Sequence, residues 1–205
     1  RLGGGLLPAM TVWRGQLEGL NAHTEDFGNW SLVGPANLML SPAEVTLEQS
    51  CLDEAAGARV CAQARWQEDG SGAVKATLRS LAISQWLPEV TGVASGEFDA
   101  GLAADGSLAM ISALQLSAGQ IAVQLDQGQR LLQHGGASLD AEISGDGLVA
   151  DLLFHAPEQG KVKAQLKLPA LSTFPLAEQQ PLQGELIATL PSLAGLAAWI
   201  PEVSS

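Results

Sequence analysis

Apolar and polar side chains alternate with a period of two along much of the chain. In residues 161–168, for example, Val162, Ala164 and Leu166 stand between lysine and glutamine side chains. Because successive side chains of a β-strand point to opposite faces, this alternation predicts a strand with one apolar and one polar face. The same pattern recurs in Trp13, Gly15, Leu17; Ile121, Val123, Leu125; Leu139, Ala141, Ile143; Leu148, Ala150, Leu152, Phe154; and Leu182, Gly184, Leu186, Ala188, Leu190.

Short segments rich in glycine and polar residues separate these runs. Their composition is typical of turns, and they fall at residues 68–72, 105–106, 133–136, 145–147 and 158–160. Strand patterns that recur roughly every 10 to 15 residues, with short turns between them, predict an antiparallel meander. The predicted fold class is therefore all-β.

Two segments break the alternation. Near 78–88 and near 191–200, apolar residues follow one another at spacings of three and four, which is the helical period. Pro191 suits the first turn of a helix, and Pro201 suits the position that ends one. We therefore predict short connecting helices in these two segments.

The two predicted helices belong to an internal repeat. Residues 76–81 match residues 188–193, and a Trp-(Leu/Ile)-Pro-Glu-Val sequence follows each copy. Its tryptophans, Trp86 and Trp199, are predicted to anchor the helices, either as ordinary core at the sheet edge or as residues that line or gate the apolar face.

The repeat indicates a modular protein. We expect residues 1–205 to be a single β segment of a larger protein, with repeat units at about 1–90 and 91–203.

The composition points to a thin, aliphatic apolar surface. The hydrophobic fraction is 46%, but the chain has only five tryptophans, four phenylalanines and no tyrosine. Its longest uncharged stretch, residues 106–125, alternates with polar residues and so does not predict a transmembrane helix. The net charge of −12 disfavours nucleic acid and anionic membrane surfaces as partners.

The two cysteines, Cys51 and Cys61, are flanked on both sides by strand patterns. A hairpin would bring them side by side, which predicts a disulfide and an oxidising compartment; the alternative is a pair of unpaired small core residues in a reducing cell. Two cysteines without a nearby histidine make only half a zinc site, so we expect no metal.

No pattern indicates catalysis. His23, His134 and His155 are far apart and are expected to be solvated, and the nucleophile, phosphate-binding and zinc-protease motifs are missing. The acid pairs Asp140/Glu142 and Asp146/Asp151 are typical of a solvated sheet edge. We therefore expect a protein that is not an enzyme and has no cofactor.

The order of features over residues 13–100 resembles the TamB family, the inner-membrane-anchored subunits of the translocation and assembly module of diderm bacteria. The resemblance begins at Trp13-Arg-Gly-Gln-Leu and continues through Gly28-Asn-Trp30, the strand patterns of 38–47 and the Cys51/Cys61 pair. It then covers Leu78 to Phe98, with Trp86-Leu-Pro-Glu-Val90 inside it. The quoted features resemble the middle region of that family.

The resemblance implies a long, curved, taco-like sheet in the periplasm, with an apolar groove similar to that of AsmA-like and bridge-like lipid-transfer proteins. It also implies that a TamA-like outer-membrane barrel binds only through regions outside this fragment. The residues predicted to line the groove are Trp13, Leu17, Leu38, Leu40, Val45, Leu47, Val74, Leu78, Phe98, Leu102, Ile121, Val123, Leu125, Leu139, Ile143, Leu148, Leu152, Phe154, Val162, Leu166, Leu168, Leu182, Leu186 and Leu190.

Three functions remain open. In the first, the apolar groove conducts phospholipid acyl chains between the inner and outer membranes. In the second, the groove is a chaperone-like scaffold that accepts nascent strands of outer-membrane proteins and autotransporters. Alternatively, the chain is a closed β-sandwich or β-helix whose apolar face is ordinary core. The closed domain predicts that Leu166 and Leu186 are fully buried.

Overall fold

The protein is almost entirely β-strand in the part that the computed structural model describes, namely residues 2–6, 12–24, 28–125, 128–157, 160–169 and 181–191. This confirms the predicted all-β class. The strands are β1 (Leu2–Leu6), β2 (Trp13–Leu17), β3 (Asn21–Thr24), β4 (Gly28–Leu32), β5 (Ala36–Leu40), β6 (Glu44–Glu54), β7 (Arg59–Gln67), β8 (Gly72–Ala82), β9 (Val93–Leu102), β10 (Leu108–Leu116), β11 (Gly119–Leu125), β12 (Gly128–His134), β13 (Gly136–Ser144), β14 (Gly147–Ala156), β15 (Gly160–Leu168) and β16 (Gln183–Thr189).

Fourteen of these strands form one antiparallel sheet. Its order is β1-β2-β5-β6-β7-β8-β9-β10-β13-β14-β15-β16, and β4 joins the far half of β6 with β3 beside it. The ends of this path, β1 and β16, do not pair with each other, so the sheet is open rather than a closed barrel. Strands β11 and β12 form a separate hairpin.

Tight turns set the register along one long edge of the sheet. Asp69 accepts hydrogen bonds from the backbone N–H and the hydroxyl of Ser71, at 2.9 and 2.6 Å. Asp105 accepts the same two bonds from Ser107, at 2.9 and 2.7 Å. Such aspartate-headed turns satisfy backbone donors locally, which is why these sequences end one strand and begin the next.

The helix predicted near 78–88 is replaced by strand over most of its length. Strand β8 continues to Ala82, and only a 3₁₀ helix, Ile83–Gln85, follows it. The register shifts by one residue between Leu78 and Leu81, which lie opposite Gly96 and Ala94. This β-bulge brings Leu78 and Leu81 onto the same face, so a spacing of three arises here from a strand. The helix predicted near 191–200, with Trp199, lies outside the described residues.

The main sheet draws strands from both predicted repeat units, since β9 begins at Val93. The repeat itself stays a prediction, because much of its second copy, after Pro191, lies outside the described residues.

Candidate functional site: an apolar sheet face

One face of the main sheet is apolar from β2 to β16. Residues directly opposite in antiparallel pairs share a face, so the register can be followed from strand to strand. The first row traced in this way crosses ten strands: Gly15, Leu38, Leu47, Ala64, Val74, Ala100, Met110, Ile143, Leu148 and Leu168. No charged side chain interrupts it.

Parallel rows on the same face have different side-chain sizes. The next row is mostly small, with Ser50, Ala62, Ala76, Phe98, Ser112, Ala141, Ala150, Leu166 and Gly184. Beyond it comes a bulkier row of Leu32, Leu52, Val60, Leu78, Gly96, Leu114, Leu139, Leu152, Ala164 and Leu186. A shallow row of small residues therefore runs between two rows that hold most of the large aliphatic residues.

A fourth row lies near one long edge of the sheet, and a fifth near the other. The fourth consists of Leu81, Ala94, Leu116, Ala137, Phe154, Val162 and Ala188. The fifth lies beside the tight turns and consists of Trp13, Leu40, Val45, Trp66, Gly72, Leu102 and Leu108. We call these five rows together the apolar face.

Much of the apolar face is exposed. Trp66 is 50% exposed, Leu114 43% and Leu186 71%, and none of these three is covered by a second layer among the described residues. Leu166 is half-buried. The closed sandwich required Leu166 and Leu186 to be fully buried, so the exposure of Leu186 contradicts that alternative.

The predicted lining residues divide into two groups. All but six belong to the five rows of the apolar face, and one of the six, Leu17, lies opposite Ala36 on the same side of β2 as Gly15. Three of the exceptions, Ile121, Val123 and Leu125, belong to the separate β11–β12 hairpin, whereas Leu182 precedes β16 and Leu190 follows it. The role of these residues in lining a groove stays a prediction.

Several residues of the apolar face were missed by the sequence reasoning. They include Leu52, Val60, Trp66, Leu81, Met110, Leu114 and Leu116. For the residues of β10, the sequence signal was the alternation of Leu108, Met110, Leu114 and Leu116. Ser112 obscures this alternation, because its hydroxyl lies on the apolar side.

The opposite face is predominantly polar and carries the cross-strand ion pairs. Arg59 donates from Nε and Nη2 to the two carboxylate oxygens of Asp53, at 2.5 and 2.7 Å, and Lys75 Nζ lies 2.5 Å from Asp99 Oδ2. The hydrogen bond from Arg59 lowers the pKa of Asp53. These pairs fix cross-strand register more than they add stability.

The polar face also carries the disulfide. Cys51 and Cys61 are directly opposite on β6 and β7, with their Cα atoms 4.0 Å apart, and are joined through their sulfurs. The predicted bridge is therefore present in the structure, close to the β-bulge between Leu47 and Ser50. On the same face Asp140 lies directly opposite Asp151, which accepts a 2.8 Å hydrogen bond from Gln165.

One long edge of the apolar face is covered by a second layer, which we call the strap. The strap consists of residues 83–91 and the β11–β12 hairpin. Val90 forms a β-bridge with Ile121, and Thr91 N–H donates to the Gln120 carbonyl at 2.8 Å. Trp86 directly follows the 3₁₀ helix in this layer and is 44% exposed.

His134 joins the strap to the sheet. Its ring stacks on Phe154 of the apolar face at a centroid distance of 6.0 Å, and its Nε2 lies 2.8 Å from the Thr91 carbonyl oxygen. The residue is only 2% exposed, so the expectation of a solvated His134 is wrong. His23 and His155 are exposed, as expected. Sequence spacing could not reveal this burial, because the contact joins elements distant along the chain.

The side chains of the described residues include no group of three or more histidine, cysteine, aspartate or glutamate residues that could hold a metal ion. Within the same part of the chain, no helix has the length and apolar character needed to cross a membrane.

Comparison with known proteins identifies one family. The family model described as "TamB, N-terminal domain" matches residues 1–205, the whole of the sequence, whereas the sequence resemblance pointed to the middle region of that family. No curated protein and no solved structure matches the chain significantly. The chain belongs to the TamB family of bacterial envelope proteins.

Proposed function

We propose that this chain is a periplasmic segment of a membrane-bridging protein whose apolar face carries phospholipid acyl chains between the inner and outer membranes. The observation that supports the proposal most directly is the uninterrupted apolar row from Gly15 to Leu168, which crosses strands β2 to β15. Family membership supports an envelope role, and the Cys51–Cys61 disulfide fits an oxidising compartment such as the periplasm.

The energetic argument concerns the cost of exposing an acyl chain to water. Each methylene group in water costs about 0.8 kcal/mol, so a 16-carbon chain faces a barrier of about 12 kcal/mol if it crosses the periplasm unshielded. Contact with a continuous aliphatic surface removes part of that cost at every position along the path. A surface that shields the chain continuously lowers the barrier more than isolated apolar patches would.

The arrangement of side chains supports sliding rather than tight capture. The small row through Ala62, Ala76, Ala141 and Ala150 offers little obstruction, and the larger leucine and valine residues of the neighbouring rows flank it. Aliphatic side chains have no directional contacts to break when a ligand moves. Phe98 is the one ring in the small row, and it is 37% exposed.

The first experiment is mass spectrometry of lipids extracted from the purified chain, followed by site-specific cross-linking. A benzoylphenylalanine placed at Leu166 or Leu186 is expected to form adducts with phospholipid acyl chains. The same residue at Lys163, which lies on the polar face between Leu153 and Ile187, is the control. Absence of co-purifying lipid, together with equal labelling at Lys163 and Leu186, would contradict the proposal.

A second candidate function is a chaperone-like scaffold for outer-membrane proteins and autotransporters. The observation that favours it is the outer edge of β16, which pairs with no further strand among the described residues. An extended nascent strand could add to such an edge through main-chain hydrogen bonds. Adducts to an unfolded barrel protein, rather than to lipid, at Leu186 would favour this function. Binding of a TamA-like barrel partner is assigned to regions outside residues 1–205.

A further inference from the structure

The two long edges of the apolar face differ in the exposure of their side chains, because the strap lies at only one of them. At one edge, Leu81 of the fourth row is 2% exposed, and Leu132 and His134 of the hairpin are 3% and 2% exposed. At the other edge β5 and β6, β7 and β8, and β9 and β10 are joined by short turns, and Val45 and Trp66 of the fifth row remain 40% and 50% exposed.

The connection from β8 to β9 ends close to Leu116 of the fourth row. A Cβ atom placed on Gly92 would come within 2.9 Å of Leu116 Cδ1. Gln85 Nε2 donates a hydrogen bond to Glu54 Oε2 at 3.5 Å, so the β8–β9 connection also contacts the end of β6. Glu54 itself is only 7% exposed, so its carboxylate is buried at this edge of the sheet.

The hairpin turns one of its two faces to the sheet. His134 stacks on Phe154, and Leu132 lies two residues away on the same strand, so both point to the apolar face. Ile121 is directly opposite Leu132 and shares this inner side. Leu131, the neighbour of Leu132 in sequence, points outward and is 58% exposed.

Backbone contacts tie the strap into one layer. Ala122 N–H donates to the Glu89 carbonyl at 2.7 Å, Gln120 N–H donates to Thr91 Oγ1 at 2.8 Å, and the Thr91 carbonyl contacts the His134 ring. A Cβ on Gly119 would lie 2.1 Å from that carbonyl oxygen, so the two segments are closely packed. The strap is therefore a packed layer that contacts the fourth row at Phe154, and Leu81 of the same row is buried.

We propose that the strap seals one long edge of the apolar face, so that a single-headed amphiphile binds with its acyl chain on the remaining rows and its polar head at the short-turn edge. This inference rests on the proposed function. It assigns a direction across the sheet to the ligand, because Leu81, Leu132 and His134 at the strap edge are almost inaccessible, whereas Val45 and Trp66 at the short-turn edge are exposed.

The test uses the full 205-residue chain with photo-leucine in place of leucine, mixed with vesicles of phosphatidylethanolamine and phosphatidylglycerol. Photo-leucine has nearly the size of leucine and leaves the strap packed. We expect acyl adducts at Leu114 and an about tenfold lower yield at Leu116, which corresponds to about 1.4 kcal/mol in occupancy. Comparable yields at Leu114 and Leu116 would overturn the inference while leaving the proposed function in place.

A matched pair of substitutions opens the strap or leaves it closed. Leu132→Asp places a carboxylate in the buried inner side of the hairpin, and adducts at Leu116 are expected to rise to the level of Leu114. Leu131→Asp, on the exposed outer side, is expected to leave the pattern unchanged. If neither or both of these substitutions alter labelling at Leu116, the strap does not act as the seal.

The head position is tested with a phosphatidylethanolamine that carries a benzophenone on its amine. We expect labelling of residues 68–72 at the short-turn edge and none of residues 83–91. Preferential labelling of residues 83–91 would contradict the proposed direction. Absence of any lipid adduct in all of these experiments would overturn the proposed function itself, and with it this inference.

Discussion

At the scale of single residues, polar contacts at the tight turns hold the strand ends of the sheet. The hydroxyl of Ser107 and then its backbone N–H lower the pKa of Asp105, and Ser71 does the same for Asp69. A carboxylate whose pKa is lowered on folding stabilises the fold above its unfolded pKa, and this contribution is lost as the pH falls through the lower, folded value. Both aspartates are exposed, so the effect is local and confined to acidic pH.

Replacing Ser107 with alanine removes the main cause of the lowered pKa of Asp105. The pKa is expected to move up toward the ordinary aspartate value but not to reach it, since the backbone N–H at residue 107 still donates. Titration of the carboxyl carbons by NMR measures this shift. Asp69 is the internal control, and an equal shift at Asp69 and Asp105 would contradict the local assignment.

The disulfide is a residue-scale feature that acts on the β6–β7 hairpin. Closing so short a loop stabilises the folded state by roughly 3 kcal/mol in the chain-entropy model. The double substitution Cys51→Ala and Cys61→Ala is therefore expected to lower the urea midpoint and to speed amide exchange in β6 and β7. Acyl adducts on the apolar face should persist under native conditions, because the disulfide lies on the other face. An unchanged urea midpoint would contradict this account.

At the scale of elements, the alternation of side chains predicted most strands but could not separate a bulged strand from a helix. Leu78 and Leu81 are three apart because one extra residue is inserted in β8, and Ser80 within the bulge has a φ of 58°. Alternation also could not show that β11 and β12 leave the main sheet. Their pattern matches that of the main strands, and their placement depends on contacts made by His134 and Leu132.

The left-handed backbone of Ser80 predicts how the bulge responds to substitution. Glycine adopts this conformation freely, so Ser80→Gly is expected to leave the free energy of unfolding unchanged or to raise it by up to about 1 kcal/mol. Ser80→Val is expected to lower it by about 1 kcal/mol or more, since a branched side chain resists positive φ. Lys75→Gly, in the regular part of β8, is the control and should be destabilising. Stabilisation by valine at position 80 would rule out the bulge conformation.

The close packing of the strap predicts a strong effect of a single methyl group. Gly119→Ala places a Cβ 2.1 Å from the Thr91 carbonyl oxygen, and we expect amide exchange in β11 and β12 to accelerate as the packing is disrupted, at a cost of about 1 to 3 kcal/mol. Gly145→Ala is the matched control, because no atom lies within 4 Å of the added Cβ. Equal exchange rates in the two variants would show that the strap is not packed as described.

At the scale of the whole molecule, the described residues form an extended sheet with a small buried core. At about 4.8 Å per strand, the path from β1 to β16 covers roughly 50 Å. The buried apolar side chains of the described residues are Ala36, Ala58, Leu81, Leu132, Ile143 and Ala156. The net charge of −12 opposes association of such exposed apolar surfaces in solution.

The sequence was informative at this scale because the same residues that define the strands also define the face. A scarcity of aromatic rings and the family resemblance both pointed to an extended apolar surface, and register places most of the predicted lining residues together. Which long edge is open could not be predicted, since it depends on where the loops fold. The difference in exposure between the two long edges is apparent only from the position of the strap.

The most direct test of the central claim compares two adjacent leucines. Leu152 lies on the apolar face and Leu153 on the polar face, and each is 39% exposed. With photo-leucine in the full chain and phospholipid vesicles as the probe, accessibility alone would label both positions equally. Binding of acyl chains to the apolar face predicts adducts concentrated at Leu152. Equal yields at the two positions, or an excess at Leu153, would contradict the account.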